Sequence, residues 1–331
     1  MSHLRVVAGC CLVAAAVSAC HRSQPMDEHS AHMSAGDLAV PPVVASNSQG
    51  IAGLPPSANS APARLKASPR HAEWTKIAWE PGSKDSLMAW IVYPTTSRTK
   101  SPVVVVVHEI YGLSTWVRGV ADQVAAEGFI AIAPDLNSRV RGGPSTDELT
   151  ADSAQKLIRA VTAADKNHGI TAAANYAMSQ PSADRRYGVI GYCWGGTAVW
   201  GYSVNGGIPG FGGGVAFYGA FPYMNGAVPN GDSIAKIKTP VVLLSGSKDA
   251  RIGASMPAID SAMKALGKSY EGKNYEGAIH GFLRAQDDPK TSRDPAVPAV
   301  RDPAEEAANL AATKDGWPKT VAFLKKNLGL K

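Results

Sequence analysis

A run of five valines at residues 103–107 is the feature that most constrains the fold of this chain. Valine is β-branched and favours extended structure, and the run has no polar face to turn toward water. A strand of this kind is buried on both sides, as in a parallel sheet whose two faces are covered by helices. The run therefore predicts a central strand of an α/β protein.

From Trp74 onward, segments typical of strands alternate with segments typical of helices. Strands are predicted at residues 75–80, 87–93, 102–107, 129–133, 187–191, 215–218, 240–246 and 269–275. Helices are predicted at residues 117–127, 146–178, 194–202, 256–266 and 304–327, with a break left open at Pro318. The alternation implies βαβ units and one mostly parallel, doubly wound sheet flanked by helices.

The composition narrows the class of protein without identifying it. Of the 331 residues, 45% are hydrophobic and 18% are charged, which excludes collagen, a coiled coil and a wholly disordered chain. The net charge of +6 is spread over scattered residues, so no nucleic-acid partner is predicted. No metal or cofactor is implied either, and the oligomeric state stays open.

The first twenty residues have the pattern of an export signal. Arg5 precedes a twelve-residue apolar run at residues 6–17, and small residues lead to Cys20. This pattern predicts a signal peptide at residues 1–19. Residues 17–20 also resemble the lipobox of bacterial lipoproteins, which implies lipidation of Cys20 and a bacterial, membrane-anchored protein of the cell envelope, periplasmic or outer-membrane-associated. An ordinary signal peptide, cut near Ala19 and leaving Cys20 unmodified, is the alternative.

Residues 20–70 are predicted to be a disordered tether. The stretch is rich in Ser, Ala, Pro and Gly and has no sustained apolar period, so it cannot bury enough surface to offset the entropy of ordering. Its histidines and methionines leave copper binding open, although a polar tether is the simpler interpretation. The folded domain is then predicted to span residues 71–331.

The chemistry is expected where strands end. Residues 191–196, Gly-Tyr-Cys-Trp-Gly-Gly, have the shape of a nucleophile elbow with Cys193 in the place of serine. The thiol would stand at a helix N-terminus, where the positive end of the dipole stabilises a thiolate. The backbone N–H of Trp194 would point at a developing oxyanion. The alternative is an inert, buried structural cysteine.

Two further residues complete a predicted triad. Asp249 follows the strand at residues 240–246, and His280 lies in the loop after the last strand. The order nucleophile, acid, histidine is that of α/β-hydrolases. His280 would move protons, and Asp249 would fix the imidazole tautomer.

From about residue 74 onward, the chain resembles the dienelactone hydrolase family (carboxymethylenebutenolidases). The resemblance rests on the cysteine elbow, on Asp249, on the His-Gly-Phe segment at residues 280–282 and on residues 108–112, His-Glu-Ile-Tyr-Gly. It implies the α/β-hydrolase fold. It also implies that Glu109 holds the resting cysteine thiol until substrate binds, and that the N–H of Ile110 completes the oxyanion hole.

The same resemblance implies two arginines that bind a substrate carboxylate, Arg139 and Arg284. A guanidinium grips a carboxylate with two parallel hydrogen bonds, so the pair fits an acidic substrate. The main hypothesis is a hydrolase of small-molecule esters or lactones that uses a Cys-His-Asp triad. The alternatives are a non-catalytic binding lipoprotein on a hydrolase scaffold and a hydrolase of other acyl bonds, such as thioesters or peptides.

Overall fold

The structure, a computed structural model, describes residues 49–95, 99–146, 151–286 and 302–330. The strands in chain order are β1 (Ala72–Ala78), β2 (Ser86–Val92), β3 (Ser101–Val107), β4 (Ile130–Asp135), β5 (Ala183–Tyr192), β6 (Phe211–Phe217), β7 (Met224–Asn225), β8 (Val228–Pro229), β9 (Val241–Gly246) and β10 (Tyr270–Tyr275). The helices are α1 (Ala61–Ala67), α2 (Thr115–Ala126), α3 (Ser138–Arg141), α4 (Ala151–Ala160), α5 (Ala163–Met178), α6 (Trp194–Asn205), α7 (Gly231–Lys236), α8 (Ala250–Ala265), α9 (Phe282–Ala285) and α10 (Pro303–Leu328).

Eight strands form one sheet in the order β1-β2-β4-β3-β5-β6-β9-β10. Strand β2 is antiparallel to both β1 and β4, and all pairs from β4 to β10 are parallel. All seven residues of β3 are buried, and the strand pairs with both β4 and β5. The predicted central strand and the mostly parallel sheet are thus confirmed.

Helices cover both faces of this sheet. A Cβ placed at Gly188 would touch Leu324 of α10, whereas one at Gly214 would touch Val199 of α6. Gly214 pairs with Val189, whose side chain lies on the opposite face from residue 188, so α10 and α6 lie on opposite faces. Helix α5 contacts α6, and an ion pair joins Lys325 of α10 to Glu127, the C-cap residue of α2. The predicted flanking by helices is confirmed.

The prediction of a disordered tether at residues 20–70 is wrong for the C-terminal part of that range. Its first part, residues 20–48, lies outside the described residues, together with the predicted signal peptide and Cys20. Residues 54–58 are all buried, Ala61 is fully buried, and α1 packs on α2. The folded domain therefore begins before residue 71. A stretch without apolar periodicity is ordered here because it packs against a surface that the rest of the chain provides.

One predicted helix is divided in the structure, and the helix predicted at residues 304–327 is confirmed as continuous. The helix predicted at residues 146–178 is two helices, α4 and α5, and α5 begins at a capping box in which Thr162 and Asp165 bond each other's backbone N–H groups. Helix α10 runs through Pro318 without a break. In the described part of the chain, no helix combines the length and the apolar character that crossing a bilayer requires.

Candidate active site

Cys193 stands at the turn between β5 and α6, as predicted. Its φ of 54° lies in the left-handed region, which is unfavourable for a residue with a side chain. The surrounding structure holds it there: its N–H donates to the carbonyl of Phe217 at 3.0 Å, and its carbonyl accepts from the N–H of Thr197 at 3.0 Å. The side chain is therefore presented at a fixed angle above the carboxyl end of the sheet.

Two glycines explain why the sequence folds this way. A Cβ at Gly191 would overlap the backbone of Gly195, and a Cβ at Gly195 would overlap the carbonyl oxygens of Val107 and His108. Only residues without a side chain let β5, α6 and the end of β3 approach so closely. The glycines of the elbow therefore set the distance between Cys193 and the loop that follows β3.

Asp249 and His280 meet, as the chain order predicts. The Nδ1–H of His280 donates to Oδ2 of Asp249 at 2.6 Å, while Oδ1 of Asp249 caps α8 by accepting from the N–H of Ile252 at 3.3 Å. The cap fixes the carboxylate, and the carboxylate fixes the imidazole tautomer. A further hydrogen bond joins His280 to Cys193.

The charges in the triad reinforce one another. Burial on its own would lower the pKa of His280, but the charge of Cys193 and the hydrogen bonds to Asp249 and Cys193 outweigh it, so the pKa of His280 lies well above its ordinary value. Burial would raise the pKa of Asp249, but the hydrogen bond and charge of His280 bring it below its ordinary value. The arrangement favours an imidazolium held by the carboxylate of Asp249.

Glu109 lies directly after β3 and is paired with Arg284. The distance from Oε1 of Glu109 to Nη1 of Arg284 is 3.2 Å, and both side chains are about nine-tenths buried, with 8% and 11% of their surface exposed. Burial raises the pKa of Glu109, against the opposing charges of Arg284 and His280. Oε1 has no well-directed hydrogen bond, so the pair attracts chiefly as charges. The carboxyl group is thus poised to change partner or to take up a proton.

The predicted oxyanion-hole residues lie on the two backbones that the elbow brings together. Ile110 follows Glu109, Trp194 is the first residue of α6, and both are buried. His108 links them: its Nδ1–H donates to the carbonyl of Glu109 at 2.6 Å, its Nε2 accepts from the N–H of Leu136 at 3.0 Å, and its ring stacks on Trp194 at 5.3 Å. Burial lowers the pKa of His108, so the ring is neutral and can make both bonds.

Tyr218 is a site residue that the sequence reasoning missed. It follows β6 with a φ of 39°, and its ring centroid is 4.9 Å from that of His280. Its hydroxyl is buried and has no hydrogen-bond partner in the structure. Burial, together with the charges of Glu109 and Cys193, raises its pKa well above the ordinary value. A Tyr-Gly pair after a buried strand was the available signal, and it is a weak one.

The guanidinium of Arg139 is held by other residues of the chain. Its Nη2 lies 2.6 Å from Asp85, its Nη1 lies 3.5 Å from Asp165, and its guanidinium stacks on the ring of Trp79 at 3.6 Å. Two carboxylates of the chain itself thus pair with the Arg139 guanidinium, which was predicted to bind the substrate. The sequence could not show this, because Asp85 reaches Arg139 only through the β1–β2 turn. Arg284, by contrast, lies beside Glu109, a pairing that the sequence did not predict.

The described residues contain no group of three or more His, Cys, Asp or Glu side chains that could hold a metal ion. The site itself brings together a thiol, an imidazole, two carboxyl groups and a buried guanidinium. In this geometry they form a nucleophile, a proton carrier and an anion-binding group on one side of the sheet. That combination suits acyl transfer to the thiol.

Comparison with known proteins agrees with this geometry. A sequence model of the dienelactone hydrolase family matches residues 87–328. A relative from Methylorubrum extorquens that is assigned as a carboxymethylenebutenolidase is 32% identical over 186 residues, which cover 55% of this chain and 63% of that protein. A relative from Bradyrhizobium that is assigned as a 2-oxo-3-(5-oxofuran-2-ylidene)propanoate lactonase is 31% identical over 208 residues, which cover 60% of this chain and 79% of that protein.

A solved structure shares the architecture. The crystal structure of a protein from Klebsiella pneumoniae assigned as a dienelactone hydrolase superposes with a TM-score of 0.58 at 25% identity, covering 77% of this chain and 98% of that one. The order of the strands, the placement of the elbow and the match of the family model point the same way. The chain belongs to the dienelactone hydrolase family and is a hydrolase of the α/β-hydrolase fold.

Proposed function

We propose that this hydrolase cleaves lactones or carboxylic esters through a thioacyl intermediate on Cys193. The observation that carries the proposal is the series of hydrogen bonds from Asp249 through His280 to Cys193, at a strained turn between strand and helix. Once the thiol of Cys193 is ionised, the neighbouring imidazole of His280 makes the sulfur a strong nucleophile.

In the first half of the reaction, the sulfur of Cys193 attacks the carbonyl carbon. The N–H groups of Ile110 and Trp194 stabilise the resulting oxyanion. The bond from carbon to the leaving oxygen then breaks, and His280 gives its proton to that oxygen. In the second half, His280 takes a proton from water, the hydroxide attacks the thioester, and the carbon–sulfur bond breaks to return the thiolate of Cys193.

Arg284 supports an acidic substrate. The guanidinium of Arg284 is buried beside the triad, and Glu109 neutralises its charge. Because Glu109 is held mainly by charge, a substrate carboxylate could replace it as the partner of Arg284. The Bradyrhizobium relative is named for a lactone that is a propanoate, which is a carboxylate-bearing lactone of this kind. When the substrate takes over Arg284, Glu109 loses its cation, becomes the better base and can accept the proton of a neutral Cys193 thiol.

The central test replaces the nucleophile. Cys193→Ala is expected to abolish the turnover of a 4-nitrophenyl ester and of a butenolide lactone, with wild-type circular dichroism as the control for folding. Full activity in Cys193→Ala would contradict the thioacyl mechanism. Arg284→Ala is expected to raise KM for an ester that carries a free carboxylate more than for its neutral methyl ester, because only the first has a group for the guanidinium to hold.

We propose further that the protein is exported and anchored to a membrane of the bacterial cell envelope through a lipid on Cys20. The proposal is supported by the apolar run at residues 6–17 and by the small residues before Cys20. Radioactive palmitate fed to producing cells is expected to label the wild type but not Cys20→Ser. Equal labelling of both chains, or equal release of both in soluble form, would contradict it.

A further inference from the structure

Residues 54–61, called here the N-terminal segment, lie ahead of the part of the chain that the family model matches, and they pack beside the active site. Residues 54–58 are all buried, although this stretch of prolines, serines and alanines has no apolar period of its own. A segment of this composition is ordered only where other elements hold it. The elements that hold it are α9 and α2.

The contact with α9 involves the backbone of Arg284. The N–H of Ala58 donates to the carbonyl of Arg284 at 3.0 Å. The side chain of Gln286 is buried, and its Nε2 donates to the carbonyl of Pro55 at 2.9 Å and to that of Leu283 at 3.1 Å. The last carbonyls of a helix have no partner within the helix, so the N-terminal segment satisfies one that α9 leaves open.

Helix α9 needs this support. It has only four residues, its N-cap residue is Gly281 with a φ of 79°, and no side chain caps its N-terminus. A single helical turn is not stable on its own hydrogen bonds. Its position, and with it the position of the Arg284 guanidinium, is therefore set by what packs against it.

The contact with α2 reaches the other side of the site. The indole N–H of Trp116 donates to the carbonyl of Pro56 at 3.0 Å, and a Cβ at Gly119 would lie 2.7 Å from Cγ of Pro56. The ring of Trp116 meets that of Tyr192, the residue before Cys193, at a centroid distance of 5.1 Å. The segment thus joins the helix that carries Arg284 to a helix that packs behind the nucleophile.

We infer that the N-terminal segment positions Arg284 for the substrate carboxylate, so that part of the specificity for acidic substrates resides outside the region that the family model matches. This inference rests on the proposed role of Arg284 in binding a carboxylate. The residues that carry it are Ala58 and Gln286, which are positioning residues, because they act through α9 and touch no reacting atom. Displacement of a guanidinium by about 1 Å weakens a bidentate contact strongly while leaving the thiol chemistry in place.

The test uses the full chain with two independent single variants. Ala58→Pro removes the N–H that bonds Arg284, and Gln286→Leu removes the donor to Pro55 at nearly constant volume. Each variant is assayed on a 4-nitrophenyl ester that carries a free carboxylate and on its neutral methyl-ester counterpart. We expect KM for the acidic ester to rise about tenfold, while kcat and both constants for the neutral ester stay within about twofold of wild type.

Two controls separate positioning from general stability. Ser68→Ala removes an anchor of the same N-terminal region to Asp122 of α2, away from α9, and is expected to leave the ratio of the two KM values at the wild-type level. In an Arg284→Ala background, Gln286→Leu is expected to change neither ester further, because the residue that it positions is gone. If one of the two segment variants does not fold, the other carries the test.

An unchanged KM ratio in both segment variants, or an equal rise for both esters, overturns the inference and leaves the proposed function intact. Equal losses on both esters in Arg284→Ala alone would overturn the carboxylate role of Arg284, and the inference with it. The two failures are distinguishable, because the second appears in a variant in which the N-terminal segment is unchanged.

Discussion

Two non-glycine residues have a positive φ in the described part of the chain, Cys193 and Tyr218, and both belong to the site. Each follows a central parallel strand, and a backbone hydrogen bond holds each one: Cys193 N–H to the carbonyl of Phe217 at 3.0 Å and Tyr218 N–H to that of Leu244 at 2.6 Å. A strained backbone persists where the surroundings over-determine it. The strain therefore marks both positions as candidates for a functional role.

The buried hydroxyl of Tyr218 is expected to donate a hydrogen bond to an oxygen of the bound substrate. Its raised pKa keeps it protonated, and its hydroxyl has no partner in the structure. Tyr218→Phe should lower kcat/KM about tenfold, the loss of one hydrogen bond of about 1.4 kcal/mol, without lowering the melting temperature.

Tyr192→Phe is the matched control for Tyr218→Phe. The hydroxyl of Tyr192 is also buried and without a partner, but its ring packs against Trp116 and Phe217 instead of His280. We expect wild-type kinetics from this variant. The same loss of kcat/KM in both variants would show that the hydroxyl of Tyr218 has no special role.

Asp249→Asn tests the electrostatics of the triad. The raised pKa of His280 depends in part on its hydrogen bond to Asp249 and on the charge of that carboxylate. Without the charge, the pKa of His280 falls, and imidazolium is lost at a lower pH. We expect the alkaline limb of the kcat/KM profile on a neutral aryl ester to move to lower pH, with a rate loss of about 10²-fold or more. An alkaline limb at the wild-type pH would contradict this account.

At the scale of elements, the sequence predicts the strands and the order of the site loops because both depend on local signals. The valine run predicts a central strand because burial on both faces favours β-branched residues. The glycines at 191 and 195 predict the elbow because close backbone approach requires residues without a side chain. The ordered structure of the N-terminal segment could not be predicted from its own sequence, because contacts with α2 and α9 hold it in place. The pairing of Arg139 with Asp85 could not be predicted either, because Asp85 lies in the β1–β2 turn, which is distant from Arg139 in the sequence.

The crossing of α6 over the end of β3 is expected to be the element contact least tolerant of change. A Cβ at Gly195 would overlap the carbonyl oxygens of Val107 and His108, neither of which is a flexible side-chain end. Gly195→Ala should lower the free energy of unfolding by about 3 kcal/mol or more, measured by urea denaturation, and should abolish activity.

Gly201→Ala is the matched control on the same helix. Its Cβ would meet only the hydroxyl of Tyr223 at 3.7 Å, an ordinary contact. Because alanine is the better helix former, this variant should gain about 0.5–1 kcal/mol. Similar stability in the two variants would mean that the backbone approach at Gly195 is less tight than described.

At the scale of the whole molecule, the site and the stability of the fold are coupled. The proposed catalytic side chains follow β3, β5, β9 and β10, so they come together only when these strands have assembled into the sheet. Any free energy that the pairing of Asp249 with His280 contributes is therefore lost on global unfolding. The pH dependence of unfolding should report it.

The signs of the two pKa shifts define the window of this contribution. The pKa of Asp249 is lowered by folding, so its contribution is present above the unfolded pKa of about 3.9 and is lost as the pH falls through the folded pKa. The pKa of His280 is raised, so its contribution is full below about 6.5 and is lost as the pH rises through the folded pKa. The pair thus stabilises most between about pH 4 and pH 6.5.

The measurement compares urea unfolding of the wild type and of His280→Asn across this range. The difference in unfolding free energy should be largest between about pH 4 and pH 6.5 and should shrink above it. Part of the raised pKa of His280 comes from the charge of Cys193, so in a Cys193→Ala background the alkaline decline should begin at lower pH. A difference that stays constant with pH would mean that the pair carries no net charge interaction in the folded protein. A decline unmoved by Cys193→Ala would mean that Asp249 alone raises the pKa of His280.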